Sequence, residues 1–242
     1  MILALNTSTE TFSMVSATHS GETIKEISIT PPEHGRLKHS DLIVEKAKEV
    51  LAGISPEKIQ KVACTIGPGS FTGIRTGLAF ARTLCQYYSI PLVGLKTDVV
   101  LAQRVKLYLS ENTLNFLLGK RGNKGDFHSH LYICPLIPAS LNEIYVSLFS
   151  VAPTTQIPKE IIPCQTIQFA DFKKFLSATK QKCKEGNLIL TGDWVIKNKG
   201  YRIFENSEMP SLAAALISLA AHLKGSQFHR VGPFYLTPPH LR

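Results

Sequence analysis

The stretch Lys61-Val62-Ala63-Cys64-Thr65-Ile66-Gly67-Pro68-Gly69-Ser70-Phe71-Thr72-Gly73-Ile74-Arg75-Thr76-Gly77-Leu78-Ala79-Phe80-Ala81-Arg82 decides the fold. Lys61 to Ile66 is a short apolar run of the kind that a strand buried on both faces needs. It runs directly into a glycine turn, and a helical period starts at Phe71 and continues to about Tyr88. Glycines in such a turn permit positive φ and close backbone approach, and a helix N-terminus offers unpaired N–H groups to an anion. A phosphate cradle is nevertheless weakly supported. No Lys-Ser or Lys-Thr follows the glycines, as a Walker loop requires, and the spacing misses the dinucleotide fingerprint. A tight strand-to-helix turn with Ser70 or Thr72 as N-cap fits the residues better.

The helix behind the turn carries more information. Gly73, Gly77 and Ala81 recur every four residues, so one stripe is almost bare of side chain. Each interior glycine costs about 1 kcal/mol relative to alanine, which is intelligible if the stripe lets another backbone come close. Spacing leaves open whether that neighbour belongs to this chain or to a second one. We assign it to a partner, with Ile74, Leu78 and Cys85 as a bulkier face and Arg75 and Arg82 available for carboxylates.

Outward from this stretch, apolar runs at 2–6, 11–18 and 22–29 read as strands, the last two joined at Gly21. A helical period spans about Leu37 to Leu51 and closes at Gly53, and Pro91 to Leu95 is a further strand. The order strand-strand-strand-helix-strand-helix-strand puts a hairpin beside parallel crossovers, an α/β arrangement. Farther on, 98–109 reads as helix and 110–130 as a polar, glycine-rich loop. Strands follow at 131–137, 144–151 and 161–168, then a helix at 170–181, a strand at 187–191 and a helix at 210–223. Pro135, Pro138 and Pro163 blur the strand limits. The order echoes the first half without a sequence repeat.

With 242 residues, 44% of them hydrophobic and 19% charged, the chain can bury one large core or two small ones. The apolar start reads as a strand rather than a leader, and Leu212 to Leu223 is about half a membrane span. A soluble, cytoplasmic protein is expected. The five dispersed cysteines read as buried thiols, and His128-x-His130 lacks acidic or cysteine co-ligands, so no metal is expected. The net charge of +9 is uneven: residues 1–100 hold 10 Lys/Arg and 9 Asp/Glu, residues 101–242 hold 17 and 9. A basic half attracts phosphate-rich partners, although a solvated lysine face has the same composition.

The turn Asn6-Thr7-Ser8-Thr9 could hold a phosphate, but the acid that would position a metal ion is replaced by neutral Asn6. Mg–nucleotide chemistry is thereby disfavoured, and an Asx- and hydroxyl-bonded turn is the simpler reading. No Gly-x-Ser-x-Gly elbow with a His/Asp pair occurs, which leaves serine hydrolysis unsupported. Acidic residues are nearly absent from the early strands, which disfavours a two-metal nuclease.

Taken together, Ile2-Leu3-Ala4-Leu5-Asn6-Thr7-Ser8-Thr9-Glu10, His39-Ser40-Asp41-Leu42, Ile66 through Ala79, and Ile90-Pro91-Leu92-Val93-Gly94 resemble the bacterial TsaB (YeaZ) family. The resemblance covers residues 1 to about 102 and thins beyond, with Ala139, Glu143, Ile144, Tyr145 and Pro233-x-Tyr235-Leu236 as later echoes. It implies an actin/Hsp70/sugar-kinase-like fold (ASKHA) with two RNase H-like lobes: 1–102, carrying the pairing helices, and a divergent basic lobe 103–242. It also implies a non-catalytic scaffold subunit, without cofactor or metal, for N6-threonylcarbamoylation of the tRNA adenosine next to the anticodon. The implied partners are a TsaD-like transferase and a TsaE-like ATPase, with a homodimer possible and tRNA reached through the complex. Pairing through the first two helices maps the interface to His39, Leu42, Ile43, Lys46, Phe71, Gly73, Ile74, Arg75, Gly77, Leu78, Ala81 and Arg82. Asn6, Thr7 and Ser8 become a vestigial nucleotide site. The alternatives are an ATP-binding kinase or ATPase of the same fold, a peptidase, and a basic tRNA-binding module.

Overall fold

A computed structural model describes residues 1–32, 35, 37–111, 131–152, 155–183, 188–192, 202–203 and 209–236. His128, His130 and nearly all of the polar stretch 110–130 lie outside these residues. The chain forms two compact units, one of Met1–Val100 with Ser211–Arg242, the other of Leu101–Pro210.

The first unit contains β1 (Ile2–Asn6), β2 (Phe12–Ala17), β3 (Thr23–Ile29), α1 (His39–Val50), β4 (Lys61–Thr65), α2 (Phe71–Tyr88) and β5 (Leu92–Leu95). The sheet order is β3-β2-β1-β4-β5. β1 to β3 form an antiparallel meander, and β4 and β5 run parallel to β1 after helical crossovers. β1, β2 and β4 are buried at every residue, because helices cover both faces of the sheet. Leu3, Leu5, Phe12, Met14, Val62 and Cys64 pack with Ile43 and Ala47 of α1 and with Leu78, Ala81 and Cys85 of α2. The opposite residues of the strands, alternating with period two, face the other side.

The last helix closes that other side, which corrects the expected lobe of 103–242. Leu212–Ala220 lies against β1, β2 and β4. Seven of its nine residues are buried, which explains the run of apolar residues that resembled half a membrane span. Its start is fixed twice: the Ser211 hydroxyl accepts from Ala214 N, and the Ser13 hydroxyl of β2 accepts from Ala213 N at 3.1 Å. Its end is fixed by Lys61, whose ammonium donates 2.7 Å bonds to the carbonyls of Ala220 and Leu223. Among the described residues no helix is long and apolar enough to cross a membrane.

The second unit holds β6 (Leu131–Pro138), β7 (Glu143–Val151), β8 (Lys159–Gln168), α4 (Phe172–Lys182), β9 (Leu188–Gly192) and β10 (Arg202–Ile203). Its sheet order, β10-β9-β6-β7-β8, is the order of the first sheet read with the corresponding strands. Each unit is thus a three-stranded meander followed by parallel additions on the far side of its first strand. This is the RNase H-like arrangement, and its tandem repetition is the actin/Hsp70/sugar-kinase architecture. The division between units falls inside α3 (Thr97–Glu111). Pro135 and Pro163 are accommodated within strands, and Pro138 ends β6. Pro163 lies on the edge strand β8, where a missing N–H is tolerated, and the pairing of β6 with β7 skips Cys134 and Pro135. All five cysteines are buried thiols.

Candidate functional site

The features singled out in the sequence meet at the end of β1. Asn6, Thr7 and Ser8 are buried there, and their polar atoms are consumed inside the chain. The Asn6 carbonyl oxygen accepts from Ser8 N (3.2 Å), the Ser8 hydroxyl (2.8 Å) and the Thr65 hydroxyl (2.9 Å). Its amide nitrogen donates to the Thr9 hydroxyl (2.8 Å) and to the Thr11 carbonyl (3.0 Å). The Thr97 hydroxyl donates to Ser8 Oγ at 2.9 Å, and Thr7 Oγ1 donates to the Gly73 carbonyl at 2.7 Å. This is the Asx- and hydroxyl-bonded turn, extended into a network that joins β1, β4, α2 and α3.

The glycine turn closes onto the same network. Gly67 and Gly69 adopt φ of +107° and +148°, conformations that favour glycine. A Cβ on Gly69 would overlap the carbonyl oxygen of Ser8, and one on Gly67 the carbonyl oxygen of Phe234. Ser70 N donates to Ser8 O at 2.7 Å, and Phe234 N donates to Ile66 O at 2.7 Å. The C-terminal segment thus runs over the turn, with Tyr235 packing its ring 5.2 Å from that of Phe71. Ser70, not Thr72, is the N-cap of α2, accepting from Gly73 N. The turn is filled by the chain's own backbone.

The glycine stripe also faces inward, contrary to its assignment to a partner. A Cβ on Gly73 would overlap the Thr7 carbonyl oxygen, one on Gly77 would overlap Thr7 Oγ1, and Ala81 is fully buried. The backbone that the bare stripe admits is the end of β1. Ile43, Ile74 and Leu78 are buried core residues as well. His39 is buried with its ring nitrogens 3.1 Å from Thr7 O and 3.3 Å from Glu10 O, so it ties α1 to the β1–β2 turn rather than facing outward.

The rest of the expected interface does reach the surface. Phe71 is 38% exposed and carries the Arg75 guanidinium 4.2 Å above its ring. Leu42, Lys46 and Arg82 are half-buried. Lys46 bridges Glu45 and Glu49 at 3.0 Å each, and Arg82 donates to the Val231 carbonyl. Between the C-terminal part of α1 and the middle of α2 lies an apolar groove of about 360 Å³, lined by Val44, Ala47, Leu51, Ile54, Phe80, Leu84 and Tyr88 among others. Val44 is 54% exposed and the neighbouring Tyr87 79%. Sequence reasoning missed this groove by following the glycines. The available signal was Val44 and Tyr87, apolar residues off the core-facing period of their helices.

Charge follows the units less sharply than the halves. With the C-terminal segment counted where it packs, the first unit carries 13 Lys/Arg against 9 Asp/Glu and the second 14 against 9. Among the described residues no group of three or more His, Cys, Asp or Glu is placed to hold a metal ion.

A family model described as TsaD, tRNA N6-adenosine threonylcarbamoyltransferase, matches residues 22–119. The chain is 33% identical over 104 residues to the tRNA threonylcarbamoyladenosine biosynthesis protein TsaB of Escherichia coli, covering 42% of each protein. It is 26% identical over 181 residues to TsaB of Haemophilus influenzae, covering 73% of this chain and 61% of that one. Over those segments the chain is similar to TsaB proteins. The chain spans about half the length of the curated TsaB proteins it matches. Among solved structures, an uncharacterized Pseudomonas aeruginosa protein described as similar to peptidase YEAZ superposes with a TM-score of 0.69 at 19% identity. The superposition covers 98% of this chain and 99% of that one, so the likeness in fold runs through both units.

Proposed function

We propose that the chain is a non-catalytic subunit of the N6-threonylcarbamoyladenosine machinery, pairing with a TsaD-like transferase through the outer face of α1 and α2. The observation that carries this reading is the apolar groove flanked by exposed Val44 and Tyr87, on the helices that the family resemblance designates for pairing. Phe71 and Arg75 are exposed at the start of α2, on the side of the helix away from the groove. The grooved face would serve a homodimer when the transferase is absent. A TsaE-like ATPase and tRNA join through the complex, and the setting is cytoplasmic.

The lack of catalysis is supported by the β1 turn. A nucleotide site at this position needs free hydroxyls and backbone N–H groups, and the hydroxyls of Thr7 and Ser8, both faces of the Asn6 amide and Ser70 N–H are all engaged internally. Reconstitution tests the reading. The transferase with its ATPase should modify a tRNA transcript only when this chain is added, and the chain alone should neither hydrolyse ATP nor cleave peptides. Full modification without the chain, or turnover by the chain alone, contradicts it.

A further inference from the structure

We propose that Phe234, Tyr235 and Leu236 form a flap, hinged at Gly232-Pro233, that opens locally and closes over the glycine turn at the carboxyl ends of β4 and β5. This conformational device lies in the C-terminal segment and does not involve the α1–α2 groove, so it stands or falls apart from the pairing reading.

Up to the hinge the segment is firmly anchored. Ser226 exchanges both backbone hydrogen bonds with Leu92, each at 2.9 Å. Val231 is buried in the core of the first unit, where its side chain fills the space that a Cβ on Gly94 would need, and its carbonyl accepts from Arg82. Gly232 and Pro233 then lie in solvent: both are exposed, and a Cβ on Gly232 would meet nothing within 4 Å. Pro233 has no N–H to tie it to neighbouring chain and its φ is fixed, so rotation concentrates at Gly232, the residue type that resists it least.

Beyond the hinge the chain returns to the fold but is held lightly. Among the described residues, 232–236 make one hydrogen bond, from the Phe234 N–H to the Ile66 carbonyl at 2.7 Å. The rest is ring contact: the Tyr235 and Phe71 centroids are 5.2 Å apart, and the Lys96 ammonium lies 5.3 Å from the Phe234 centroid. Against these stands the Tyr235 hydroxyl, which is buried without a hydrogen-bond partner among the described residues. A hydroxyl shut away from water and left unpaired penalises the closed state, and opening relieves it. Ile66 and Lys96 directly follow β4 and β5, at the carboxyl ends where open α/β sheets take their ligands. The closed flap therefore covers, with the chain's own backbone, a crevice that opening exposes.

The test is amide hydrogen exchange of the full chain, followed by NMR and corrected for intrinsic rates. The Phe234 amide should exchange at least about a hundredfold faster than the buried Val62 amide of β4, which donates to the Pro91 carbonyl at 3.1 Å. Low urea should leave the Phe234 rate unchanged while it accelerates that of Val62. Tyr235→Phe removes the unpaired hydroxyl and keeps the ring, so it should slow Phe234 exchange about fivefold or more. Phe71→Ala removes the ring's partner and should speed it about threefold. Circular dichroism melting confirms that each variant is folded. The proposal is overturned if the Phe234 amide exchanges at the rate and with the urea dependence of Val62. It is equally overturned if Tyr235→Phe leaves Phe234 exchange unchanged or makes it faster.

Discussion

The Thr7 hydroxyl donates a 2.7 Å hydrogen bond to the carbonyl oxygen of Gly73. The same threonine fills the space that a side chain on Gly73 or Gly77 would need. Helix α2 is therefore seated on the end of β1 through its barest face, which is closed to a partner. The two helix glycines are explained by the fold, and the exposed apolar residues of α1 and α2 are Val44, Phe71 and Tyr87.

Gly73→Ala should destabilise the fold by about 1–3 kcal/mol in urea denaturation, because overlap with a backbone carbonyl outweighs the better helix propensity of alanine. Gly77→Ala meets the Thr7 side chain instead, so Thr7→Ala combined with Gly77→Ala should recover part of the loss in a double-mutant cycle. Wild-type stability of both glycine variants contradicts the internal seating.

Asn6→Asp should cost about 2–4 kcal/mol at neutral pH, since a buried carboxylate would replace the two N–H donors to Thr9 and Thr11. Burial raises a carboxyl group's pKa in the fold above its unfolded value, so the penalty is full above the folded pKa and shrinks as pH falls. Melting temperatures of wild type and variant should converge on acidification. A constant gap from neutral pH to about pH 4 would contradict this account.

Lys61→Met should remove both bonds that hold the end of the last helix and cost about 1–3 kcal/mol. Burial holds the Lys61 pKa below its ordinary value of 10.5, and the neutral amine still has N–H groups for both carbonyls. Its unfolded form binds more protons in the window below pH 10.5, so the wild type should gain stability relative to Lys61→Met as pH rises through it. Denaturation of the two proteins across that range checks the sign.

Most elements were legible because their periodicity is local. The run 61–66, the helical period from Phe71 and the later strands all appear within a few residues of their expected limits. What periodicity could not supply was the neighbour. Gly73 and Thr7 are 66 residues apart, and a bare stripe looks alike whether its occupant is the chain's own strand or another protein. The return of Leu212–Ala220 to the first sheet was hidden for the same reason, since an apolar helix does not declare which sheet it covers. His39 read as an interface residue because the carbonyls of Thr7 and Glu10 that hold it lie about thirty residues upstream.

The central claim concerns the groove between α1 and α2. Val44→Glu places a charge in it without touching the core, so the variant should melt like the wild type. The deciding measurement is size-exclusion chromatography with light scattering, run on each protein with and without the TsaD-like transferase. The wild type should form a complex with the transferase, and Val44→Glu should elute as a folded monomer beside it. A Val44→Glu variant that assembles with the transferase as the wild type does would contradict the account.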